Sequence, residues 1–119
     1  MVEKMTTEQL VEHFVAIALD QDKAMQFEEN AKYNRLFGEM NAVIVELKQR
    51  AGDQRHALIP LLKHTNPQVR LKAAIATLAL APDAARNVLQ AIDRWNEYPQ
   101  APYARGMLMA LYDGSYTPS

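Results

Sequence analysis

The sequence has no cysteine. A disulfide framework, a thiolate zinc site and a cysteine nucleophile are excluded together. Serine is nearly missing: only Ser115 and Ser119 occur, both in the tail, and neither lies in a Gly-x-Ser-x-Gly elbow. The glycines Gly38, Gly52, Gly106 and Gly114 stand singly, so no glycine-rich loop can cradle a phosphate. His13, His56 and His64 fall in no zinc-binding spacing, which favours surface or capping roles over metal ligation. The longest apolar run, Ala73 to Ala81, is broken by Thr77 and is far short of the roughly 20 residues of a membrane span. The stretch Met1 to Met5 has no signal-peptide pattern. The chain therefore reads as cytoplasmic, with no membrane segment, no metal and no cofactor.

Charge of one sign is also lacking, since the formal net charge is −1. That argues against a protein whose main task is to grip nucleic acid. The charge is unevenly spread, however. Residues 1–29 hold two lysines against seven acidic groups, whereas residues 46–72 hold six basic groups against Glu46 and Asp53. Lys48, Arg50, Arg55, Lys63, Arg70 and Lys72 could line up as a basic ridge able to steer a partner. Two differently charged solvated faces are the simpler reading.

What is present is helical pattern. Hydrophobic residues are 49% of the 119, enough for a core without cross-links. Thr6 and Gln9 form a capping box, followed by Leu10, Val11, Phe14, Ile17 and Ala18 at helical period. Asn30 is the expected cap of a second helix, whose stripe is Tyr33, Leu36, Phe37, Met40, Ile44, Leu47 and Ala51, with Gly52 as the stop. Asp53 is expected to cap a short third helix that Pro60 kinks. Asn66-Pro67 is a strong start for a fourth helix, apolar almost all round and so expected to be central. A fifth helix follows Pro82, with Trp95 on its stripe, and Pro102 opens a sixth that Asp113-Gly114 ends. No segment alternates with period 2, so no strand is expected. The fold class is all-α: one domain over residues 1–119, with 115–119 as a frayed tail.

The segment Ala57-Leu58-Ile59-Pro60-Leu61-Leu62, followed by Asn66-Pro67-Gln68-Val69-Arg70-Leu71-Lys72-Ala73-Ala74, resembles a HEAT repeat. Val69-Arg70 and Ala73-Ala74 match the opening of that family's second helix, and Pro60 matches the bend of its first. His64 stands where the family carries an acidic turn residue. The whole chain is also similar to a small bacterial family of uncharacterised HEAT-like domains, with Tyr33-Asn34-Arg35-Leu36-Phe37 on the second helix. The resemblance implies three antiparallel helix pairs stacked as a short, right-handed HEAT/armadillo-like α-α superhelix. It says little about function, because folds do not carry functions.

No converging polar groups of a catalytic site are legible, so the chain is expected not to be an enzyme. The adjacent Glu28 and Glu29 point about 100° apart on a helix and suit a helix start better than acid–base chemistry. Five of nine aromatics, Trp95, Tyr98, Tyr103, Tyr112 and Tyr116, lie in the last 25 residues. They either close the end of the core or, for Trp95, Tyr98, Tyr103 and Tyr112 above all, anchor a partner. Arg70 is expected to tether its preceding turn. The reading is a non-enzymatic protein-binding module, a small adaptor or a toxin-neutralising immunity-type protein. Nucleic-acid backbone binding through residues 46–72 ranks behind it, as does a small-ligand carrier or enzyme near His56, His64 and Arg70. A homodimer through Trp95 and the C-terminal tyrosines is a further expectation.

Overall fold

Thr6 opens the first helix with the expected capping box. Its hydroxyl oxygen accepts from Gln9 N–H at 3.1 Å, and Gln9 Oε1 accepts from Thr6 N–H at 2.9 Å. In this computed structural model, which describes residues 1–119, helix α1 then runs Thr7–Gln26. Its inner face is Leu10, Phe14, Ile17, Ala18, Gln21 and Ala24. The helix stops in a Schellman turn: Glu29 N–H reaches Ala24 C=O at 2.8 Å and Glu28 N–H reaches Met25 C=O at 3.3 Å. Glu28, not a glycine, takes the left-handed position, at φ 55°.

Helix α2 runs Asn30–Gln49 and packs on α1. Asn30, the expected cap, is its first helical residue, and Glu29 is the cap instead. The Schellman turn is the reason, because it has already spent the preceding residues closing α1. The buried seam is Leu36, Met40, Val43 and Leu47. This is a narrow stripe at i, i+4, i+7 and i+11, and it overturns the expectation for Phe37, which is 46% exposed. Tyr33 and Ile44 are half-buried at its margins, and Ala51 lies beyond the helix, exposed. Gly52 is left-handed at φ 79°, but it follows the helix end by three residues rather than forming its stop.

The expected third α-helix is a 3-10 helix, Gln54–Lys63, containing Pro60. Proline lacks the N–H that an α-turn would bond, and its ring clashes with the carbonyl four residues back. The tighter i→i+3 pattern is what survives, as in His64 N–H to Leu61 C=O at 3.0 Å. Asp53 precedes the 3-10 helix in a left-handed conformation at φ 52°.

The chain divides into two compact units, Met1–Leu58 and Ile59–Ser119. In the first, α1 and α2 form the core pair and the N-terminal turn Val2–Lys4 lies on α2. In the second, α3 (Pro67–Thr77) packs on α4 (Pro82–Arg94), which packs on α5 (Ala101–Asp113). Asn66 caps α3 as expected, its side-chain oxygen accepting from Gln68 and Val69 N–H at 2.8 and 3.1 Å. Seven of the eleven residues of α3 are buried, in keeping with its apolar circumference. Gly114 ends α5 at φ 80°. The tail beyond is tied at its start, where Ser115 N–H bonds the Asp113 carboxylate and Tyr116 N–H bonds Ala110 C=O. All regular structure is helical.

Candidate binding surfaces

The six basic side chains divide by what they already hold. Arg50 donates to Glu46 at 2.7 Å and to Met5 C=O at 2.6 Å, clipping the N-terminal turn to the end of α2. Arg55 is buried, and its guanidinium grips both oxygens of Asp53 at 2.8 and 2.6 Å. That grip holds the Asp53 carboxyl down at about 2. Arg70 makes a fork-to-fork pair with Glu97, both bonds 2.8 Å, and reaches Thr65 C=O at 3.4 Å. The tether of Arg70 to its preceding turn is therefore present, and the stronger tie is to Glu97, which its sequence neighbourhood did not announce.

Glu97 is in place because Asn96 is left-handed. Its φ is 51°, and the Schellman bonds Asn96 N–H to Asp93 C=O and Glu97 N–H to Ile92 C=O close α4. The turn carries Glu97 back toward the start of α3. Each partner stabilises the charge of the other: Arg70 is pushed up and Glu97 down, through their mutual hydrogen bonds. An asparagine after the last apolar position of a helix is a readable stop signal. The partner it delivers is not readable.

Of the remaining lysines, Lys48 and Lys63 are exposed and Lys72 is half-buried. Burial pushes the Lys72 ammonium down to about 8. His56 lies exposed, its Nδ1 2.7 Å from Asp53 C=O, and His64 Nδ1 accepts from Asn66 N–H at 3.0 Å. Both have local turn partners, as a capping role requires. No group of three His, Asp or Glu side chains is placed to hold a metal ion.

The C-terminal aromatics are on the outside. Trp95 is 75% exposed, Tyr98 79%, Tyr103 51% and Tyr112 93%. Trp95, expected on the inner stripe of its helix, is instead the C-cap of α4, where the chain turns away from the core. Trp95 ends α4, Tyr98 lies in the α4–α5 connection and Tyr103 is in the first turn of α5. Tyr112 is nine residues beyond Tyr103 on α5, half a revolution around the helix, and belongs to another surface.

That other surface is an open groove of about 430 Å³ between the outer faces of α4 and α5. Arg86, Gln90 and Asp93 line it from α4 at i, i+4 and i+7. From α5 come Arg105, Leu108, Met109 and Tyr112 at i, i+3, i+4 and i+7, with Asp113 at the end. Asp93, near the end of α4, and Arg105, near the start of α5, pair across it at 2.9 Å. A second hollow, of about 550 Å³, lies between the end of the 3-10 helix and α4, with Ile59, Pro60, Leu62 and Val88 as apolar walls and Lys63 and Asn87 at the rim.

Residues 8–112 match the family described as a domain of unknown function, DUF2019. The chain belongs to that family. A crystal structure of the protein RPA1889 from Rhodopseudomonas palustris CGA009 is 44% identical to this chain. It superposes with a TM-score of 0.95, covering 100% of this DUF2019 chain and 98% of that one. No curated protein matches.

Proposed function

We propose that this DUF2019 chain is a short HEAT-like stack acting in the cytoplasm as a non-enzymatic protein-binding module. One observation carries the reading: Trp95, Tyr98 and Tyr103, at the end of α4, in the α4–α5 connection and in the first turn of α5, are all more than half exposed. Large amphipathic rings left in water are the usual anchors of a protein interface, because they give area at little entropic cost. The end-closing role would bury them, and they are not buried. The Val69-Arg70 and Ala73-Ala74 pattern supports the HEAT-like element of the proposal. A small bacterial adaptor, or a protein that neutralises a toxin, is the concrete version. The test is capture from bacterial lysate with nuclease-treated controls, using the native chain beside a W95S/Y98S variant. A stoichiometric protein that the native chain retains and the variant loses supports the reading. Capture that nuclease abolishes would replace it with nucleic-acid binding, and equal capture by both chains would remove the aromatic surface from it.

A further inference from the structure

The α4–α5 groove is distinct from the aromatic connection, and its charges follow a checkerboard. Arg86, near the start of α4, and Asp113, at the end of α5, line it toward one end, and toward the other Asp93 of α4 pairs with Arg105 of α5 at 2.9 Å. Between them the floor is apolar or neutral: Gln90, Leu108 and Met109, with Tyr112 toward the Arg86 end. Arg86 is exposed and takes part in none of the ion pairs. Met109 is 63% exposed and Tyr112 93%.

A surface with positive and negative corners arranged diagonally has a specific property. Turned over onto itself by a two-fold axis lying in the surface, it meets opposite charge at every corner. With the axis along the helices, Arg86 meets the Asp113 of a second copy and Asp93 meets its Arg105. With the axis across the helices, Arg86 meets the second copy's Asp93 and Asp113 meets its Arg105. We infer that this face pairs isologously with the same face of a second copy of the chain.

The size of the face sets the strength. Each helix has 13 residues and so spans about 20 Å. A two-helix face of that length offers about 400 Å² per copy, below the interfaces of permanent dimers. The expected dimer is therefore weak, forming at micromolar to sub-millimolar concentration.

Sedimentation equilibrium from 10 µM to 1 mM tests this. The native chain should show a monomer–dimer equilibrium. M109E should weaken association at least tenfold, and R86D likewise, with circular dichroism and melting temperature unchanged because both sites are exposed. R86D mixed with D113R, or with D93R, should recover a heterodimer, and the mixture that recovers names the axis. W95S/Y98S should leave association intact, which separates this inference from the partner-binding reading. A native chain that is monomeric at 1 mM would overturn it. So would a dimer indifferent to M109E and R86D, or failure of both mixtures.

Discussion

Asp53 and Arg55 show how little of a residue's role its type discloses. An acidic residue after a glycine reads as a helix cap. Here Asp53 does accept the Arg55 N–H, at 3.3 Å, but its main task is to neutralise a buried guanidinium. Asparagine tolerates the left-handed backbone that Asp53 adopts, so D53N removes the charge and little else. It should lower stability at pH 7 by about 2 kcal/mol in urea unfolding, because a buried charge loses its partner. The carboxyl is depressed in the folded state, so its contribution is complete above the ordinary aspartate range. It fades as pH falls toward about 2, and the native and D53N curves should converge there. Lys72 gives the opposite sign. Its folded value of about 8 lies below that of the unfolded chain, so the charged form is penalised by folding at neutral pH. Stability should rise from pH 8 toward 10, where the folded chain holds fewer protons than the unfolded one. K72M should be more stable than the native chain at pH 7 by about 1–2 kcal/mol, and thermal melts should show that gain shrinking over the same interval.

At the level of elements, the chain is punctuated by left-handed residues that are not glycine. Glu28 and Asn96 each occupy the αL position of a Schellman turn, at φ 55° and 51°. A side chain with a Cβ pays a steric penalty there, smallest for asparagine and aspartate. E28G should therefore raise stability by about 0.5 kcal/mol, the relief of strain exceeding the entropy glycine adds to the unfolded state. N96V should lower it by about 2 kcal/mol, since a β-branched residue is a genuine outlier at positive φ and the turn also carries Glu97 to Arg70. Chemical denaturation of both variants checks the pair. The exchange of an expected third α-helix for a 3-10 run belongs to the same scale. Pro60 was legible as an interruption, but an isolated proline does not say whether a helix bends, shortens or tightens.

For the whole molecule, the division of basic groups decides how it meets polyanions. Arg50, Arg55 and Arg70 are committed to Glu46, Asp53 and Glu97, so half of the expected ridge carries no excess charge outward. Exposed counterions on a phosphate backbone are released by unpaired cations, not by guanidinium groups already satisfied. The folded chain should elute from heparin at or below about 0.15 M salt, and a binding slope near that of six cations would contradict the assignment.

The sequence by itself determined the all-α class, the caps at Thr6 and Asn66, and the helix starts at Pro67 and Pro82. These rest on backbone chemistry within four residues, which a linear pattern records in full. It located the inner faces of α1 and α3 and, on α2, Leu36, Met40 and Leu47 of the seam, but it took Ile44 for Val43 and added Phe37, because all of these are apolar and only a neighbour chooses among them. The aromatic surface was legible as residues and not as a surface: exposure of Trp95 depends on α4 ending one residue before it. The Arg70–Glu97 fork, the Asp53 grip on Arg55 and the checkerboard of the α4–α5 face were decided only in three dimensions. Each joins side chains whose meeting depends on a turn geometry or a helix pairing, and a charge in a sequence does not name its partner.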